Sequence, residues 1–120
     1  MQTWETADDD VFTITFTTVN VSGTITIAGQ TFDTTTTSTL EDIANYYYEE
    51  NETIRSGFPT RSFGTDDSKW YLTLTSNGTL TMTLSISQGI DVSIHKFTPS
   101  VAPVAPVAPV SSASATGDPY

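Results

Sequence analysis

The sequence predicts an α+β domain, a mainly antiparallel β-sheet of five to six strands with one helix packed across one face, followed by an extended C-terminal arm. Three observations predict it. Residues 70–97, WYLTLTSNGTLTMTLSISQGIDVSIHKF, alternate apolar and polar side chains almost without a break, which is the period of a half-buried strand. Residues 39–56 instead bring Leu40, Ile43, Ala44, Tyr47 and Ile54 onto one stripe at helical spacing. Past residue 97 the composition turns abruptly to a Val/Ala/Pro repeat ending in SSASATGDPY. The chain therefore divides into an acidic N-terminal arm (1–10), the α+β domain (11–97) and a tail (98–120).

The arm carries Trp4 and the cluster Asp8-Asp9-Asp10. Calcium loops alternate ligands with spacers, and three adjacent aspartates lack that pattern, so they read as a solvated charge run. Val11 to Thr18 sets Phe12, Ile14 and Phe16 on one face and threonines on the other, and Gly23 to Ala28 repeats the pattern with Ile25 and Ile27. Gly29-Gln30 suits a two-residue turn that pairs Ile27 with Phe32.

The helix opens on Ser38-Thr39-Leu40-Glu41, a capping-box spacing, with Glu41 and Asp42 where the helix dipole favours acids. Gly57 and Pro59 end it. Successive helical residues are about 100° apart, so only one of Tyr46-Tyr47-Tyr48 lies squarely on the stripe. Tyr47 takes that place, and Tyr46 and Tyr48 become candidate partner-binding residues, because exposed tyrosines combine large apolar area with a polar tip. Residues 58–69 read as a long connection.

In residues 70–97, three-residue glycine turns at Ser76-Asn77-Gly78 and Ser87-Gln88-Gly89 give a β-meander with Leu74 opposite Leu80, Leu72 opposite Met82, Ile86 opposite Ile90, Leu84 opposite Val92 and Met82 opposite Ile94. In the tail, Pro103, Pro106 and Pro109 match the three residues per turn of polyproline II, with Val101, Val104, Val107 and Val110 along another edge. These seven residues and the terminal Tyr120 are the tail's candidate partner-binding positions.

Four Lys and Arg stand against 14 Asp and Glu, a formal charge of −10, so nucleic acid and anionic membrane surfaces are not expected partners. Without cysteine there is neither a disulfide framework nor a thiolate metal site. The N-terminal residues lack the basic and apolar regions of a signal peptide, which predicts synthesis without export. Asp91, Ser93 and His95 alternate on one side of a strand, where they point in parallel and form no relay, so no catalytic, cofactor-binding or metal-binding residue is assigned and no enzyme is expected.

The stretch GTITIAGQTFDTTTTSTLEDIANYYYEENETI and the alternating strands after it, residues 23–97, resemble small structural proteins of tailed-bacteriophage virions, capsid decoration or cement subunits among them. The resemblance implies a non-enzymatic capsid cement or decoration subunit, made in the host cytoplasm and carried in the virion. Its partners would be the major capsid protein or other virion subunits, with a homo-oligomer possible, and its C-terminal arm would bind a neighbour. Two alternatives stand beside it: a phage tail or fibre component, and a carbohydrate- or ligand-binding β-module using Tyr46, Tyr48 and Trp70 as a stacking platform.

Overall fold

The structure, a computed structural model, describes residues 1–99. It contains eight strands in two four-stranded antiparallel sheets. The first sheet runs in the order β1 (Gln2–Trp4), β7 (Met82–Ile86), β3 (Gly23–Ile27), β4 (Gln30–Thr34). The second runs β5 (Thr60–Asp66), β6 (Lys69–Asn77), β2 (Asp8–Thr18), β8 (Asp91–Phe97). Between β4 and β5 lie α1 (Leu40–Asn45), a π-helical turn (Tyr46–Glu50) and α2 (Glu52–Gly57). Inward side chains of both sheets and of the helical segment form one core, with Phe12, Ile14, Phe16, Ile25, Ile27, Leu72, Leu74 and Met82 fully buried.

This corrects the expectation of one sheet of five to six strands under one helix: the protein is mostly β, with two sheets and two short helices. Alternation reports which side of a strand is buried and says nothing of which strand lies beside it. A single sheet would have needed the helical segment to cover every inward residue, whereas two sheets cover each other.

The meander is corrected with it. Leu72 lies opposite Ile14 and Phe63, and Leu74 opposite Phe12 and Arg61. Leu84 pairs with Gln2 and Ile27, Met82 with Trp4, Ile86 with Ile25, Val92 with Phe16 and Ile94 with Ile14. Gly78 and Gly89 do take the left-handed conformation that their turns require, with φ of 84° and 88°. Those turns carry the chain from one sheet to the other and back, instead of joining neighbours.

The β3–β4 hairpin forms one residue earlier than expected. Ala28 and Gly29 both have positive φ, the signature of a type I′ turn, so Ile27 meets Gln30 and Phe32 meets Ile25. The expected connection 58–69 contains β5 and a second two-residue turn, Asp67-Ser68, also with positive φ at both positions.

The expected continuous helix 39–56 is interrupted at Asn51, whose extended backbone (ψ 110°) ends the π-helical turn. Its side-chain oxygen accepts from the Ile54 amide at 2.9 Å and restarts the helix as a new N-cap. At the first helix the cap is Thr39, which accepts from Asp42 at 3.1 Å, while Ser38 is drawn back to the Thr35 amide. Of the expected apolar stripe, Ile43, Ala44, Tyr47 and Ile54 are fully enclosed and Leu40 is half-buried.

Gly57 packs directly under Leu80, and a Cβ there would come within 2.4 Å of Leu80 Cδ1 and 2.6 Å of its Cγ. Gly57→Ala is expected to cost about 1–3 kcal/mol by overpacking. In urea unfolding, Leu80→Ala should relieve that cost, making the double variant less destabilised than the sum of the singles.

Candidate functional site

The two sheets leave two seams, and the chain treats them differently. The seam between β4 and β5 is filled by the helical segment. Tyr47 is the plug, fully buried, with its hydroxyl 3.0 Å from the Ile25 carbonyl oxygen and 2.8 Å from that of Gln30, so one proton serves two acceptors. Burial pushes its phenol well above the ordinary range, because the anion would have no water to solvate it.

The flanking tyrosines part company. Tyr46 is half-buried, edge-on to Phe32 and Tyr47 with ring centres 4.9 Å from each, and its hydroxyl lies 3.0 Å from the Asn51 side-chain nitrogen, which donates to it. Tyr48 turns to the other side, its ring centre 4.4 Å from that of Phe63, which stacks at 5.4 Å on Trp70. Arg61 places its guanidinium 5.4 Å above the Tyr48 ring and donates from Nε to the Tyr48 carbonyl at 2.7 Å. Of the three residues expected to form a stacking platform, Tyr48 and Trp70 are therefore joined through Phe63, and Tyr46 is held apart. Phe63 and Arg61 fall within the expected connection 58–69, and the alternation Arg61, Phe63, Thr65 is the sequence signal of the strand that holds them.

The opposite seam, between the edge strands β1 and β8, is open. It forms a groove of about 450 Å³ whose lining includes Gln2, Trp4, Leu84, Ile86, Val92 and Ile94. Nothing in an N-terminal segment read as an acidic arm pointed to it. Trp4 belongs to β1, and the aspartate cluster opens β2.

Below this groove the N-terminal segment is clamped. Asp10 is 2 % exposed, and its carboxylate accepts from the Ala7 amide at 2.8 Å and lies 3.5 Å from Lys96 Nζ, which also donates to the Glu5 carbonyl at 2.7 Å. The Ala7 amide, reinforced by Thr98 and Lys96, holds the Asp10 carboxyl below its ordinary value of 3.8 against the opposing effect of desolvation. A carboxyl with a depressed native pKa contributes stability that is complete above the unfolded value. Between about pH 5 and pH 3 the urea midpoint should therefore fall, and Asp10→Asn should flatten part of that slope.

Asp91, Ser93 and His95 stand exposed along β8, opposite the threonines of β2, and no group of three metal-binding side chains occurs among the described residues. No helix among them is long and apolar enough to cross a membrane. The tail candidates Val101, Pro103, Val104, Pro106, Val107, Pro109, Val110 and Tyr120 lie outside the described residues.

The geometry defines a two-sheet β-domain with one sealed seam, one open seam and a chain that continues from an edge strand. No family model, curated protein or solved structure matches it.

Proposed function

We propose that the chain is a non-enzymatic virion structural subunit, a capsid cement or decoration protein whose C-terminal arm binds a neighbouring subunit. The observation that carries this reading is where the chain leaves the domain. β8 is an edge strand, and Phe97, the last residue of its ladder, is 57 % exposed on the outer face, so residues beyond it start at the rim of a rigid sheet. An arm that starts there begins at a sheet edge, where a neighbouring subunit can meet it. The resemblance of residues 23–97 to tailed-phage structural proteins supplies the particle.

The test is occupancy on capsids that lack the protein. A chain ending at Pro99 keeps every described strand, and it should bind at least tenfold more weakly than the full chain. Equal occupancy and equal particle stability would remove the arm from the mechanism.

A second reading has one specific observation behind it: the row Tyr48, Phe63, Trp70 with Arg61 above it is the kind of aromatic edge on which a sugar ring stacks. Tyr48→Ala should then abolish binding on a glycan array while leaving the unfolding midpoint within the range of a partly exposed substitution. An array without hits for the full chain disposes of it.

A further inference from the structure

We infer that Asn77 is a self-modifying site, at which the backbone nitrogen of Gly78 displaces the side-chain amide as ammonia and a carboxylate is left in its place. The inference goes beyond the virion reading and does not depend on it, since it rests on one turn and its neighbours.

That turn carries the chain from β6 in the second sheet towards β7 in the first. Asn77 is exposed there, so water and hydroxide reach its side chain. Of the four asparagines in the chain it alone precedes a glycine. Asn20, Asn45 and Asn51 are followed by Val21, Tyr46 and Glu52, whose side chains crowd the amide that would have to attack. Asn51 is also buried and occupied as a helix cap.

The carboxamide of Asn77 is held ready for attack. Its Oδ1 accepts from the Thr79 hydroxyl at 2.6 Å and from the Thr79 amide at 3.1 Å. The second of these bonds makes an Asx turn, a small closed ring of atoms that includes both Cγ of Asn77 and the nitrogen of Gly78. Both donors point at the oxygen on which negative charge develops when Cγ is attacked, so they stabilise the tetrahedral intermediate more than the resting amide. The attacking nitrogen donates its proton to Ser76 Oγ at 2.8 Å, which polarises the N–H bond that must break.

The step balances without an oxidant or a partner. Hydroxide removes the Gly78 amide proton, the nitrogen bonds to Asn77 Cγ, and the Cγ–Nδ2 bond breaks with release of ammonia. The product is a five-membered succinimide. Water then adds to one of its two carbonyls and opens the ring to aspartate or to isoaspartate, which routes the backbone through the former side chain.

The surroundings give the change a structural effect. Asn77 Nδ2 donates to the Ser56 carbonyl of α2 at 2.9 Å, and that bond is lost with the nitrogen. Asn77 also lies directly opposite Asp8 in the β2–β6 ladder, so the new carboxylate faces an acidic residue in a chain already at a formal charge of −10. Like charges directly opposite each other are destabilising. The residue after Ser56, Gly57, packs under Leu80 just past the turn. Conversion therefore loosens the junction of α2, the turn and the start of β2.

The test is to hold the full-length protein folded at mildly alkaline pH and map its peptides by mass spectrometry. The expected result is a gain of one mass unit confined to the peptide containing Asn77, isoaspartate within it, a rate that rises with hydroxide, and a urea midpoint that falls as the product accumulates. Asn77→Asp should show a lowered midpoint from the outset, and Asn77→Gln should keep its own midpoint unchanged over the same period. Thr79→Val, at an exposed position, should slow conversion about fivefold in the folded protein, the rate equivalent of one hydrogen bond, and leave the rate in urea unchanged. Three outcomes overturn the inference: an intact Asn77 in the folded protein after the unfolded chain has converted, equal or faster conversion at another asparagine, or a folded-state rate that Thr79→Val does not alter. Conversion without a fall in the midpoint overturns the loosening of the junction.

Discussion

Tyr47→Ala should destabilise the protein by about 3–5 kcal/mol, the range for removing a fully buried aromatic side chain. The residue closes the seam between β4 and β5 with no exposed surface. Its loss opens a cavity beside the β3–β4 hairpin and takes the shared hydroxyl away from the Ile25 and Gln30 carbonyls. Domains of this kind have a total stability of about 5–15 kcal/mol, so the variant would be marginal, and the urea midpoint at unchanged slope is the measurement.

Tyr47→Phe separates packing from hydrogen bonding, since it keeps the ring and removes the proton shared by two carbonyls. Its expected cost is about 1 kcal/mol, the net value of one such bond. The two variants also part at alkaline pH. Burial raises the native phenol above its ordinary value of 10.0, so above that value the unfolded chain releases a proton that the native one retains. Stability then falls as pH rises. Tyr47→Phe should lose that component of the alkaline decline.

The inward positions were legible from side-chain periodicity alone. Phe12, Ile14 and Phe16 on β2 and Leu72 and Leu74 on β6 are buried, and Gly78 and Gly89 turn as their positions require. Pairing was not legible, because a left-handed glycine serves an arch between sheets as well as a hairpin within one. The break at Asn51 was hidden for a related reason. In the sequence Asn51 stands three residues after the tyrosine run inside a helical stripe, and its capping of Ile54 shows only when the backbone is extended there. Site residues divide in the same way. That Tyr46 and Tyr48 part follows from their places either side of Tyr47 on a helix, but their partners, Phe32 and Asn51 for one and Phe63 and Arg61 for the other, are set by packing that helical spacing does not report. The open seam depends on β1, three residues long and too short to show a period.

The helical segment is either part of the cooperative core or a lid laid over it, and Phe58 decides between them. It follows α2 directly, is fully buried, and meets Phe12 of β2 edge-to-face at 6.2 Å with an interplanar angle of 87°. Phe58→Ala and Phe12→Ala should each cost about 3–5 kcal/mol. Because the rings touch, the double variant should fall short of the sum by about 0.5–1.5 kcal/mol, the coupling of an aromatic pair. If the segment belongs to the core, unfolding of Phe58→Ala followed by Trp4 and Trp70 fluorescence and by far-ultraviolet dichroism should coincide in one transition at a lowered midpoint. A lid would show itself differently, through an early loss of helical signal with the strands unfolding later at the wild-type midpoint. The single transition is expected, since Tyr47 in the middle of the segment and Phe58 at its end anchor it on opposite sheets, Tyr47 on the carbonyls of the β3–β4 hairpin and Phe58 on the ring of Phe12. Neither sheet can then separate from the segment without separating from the other.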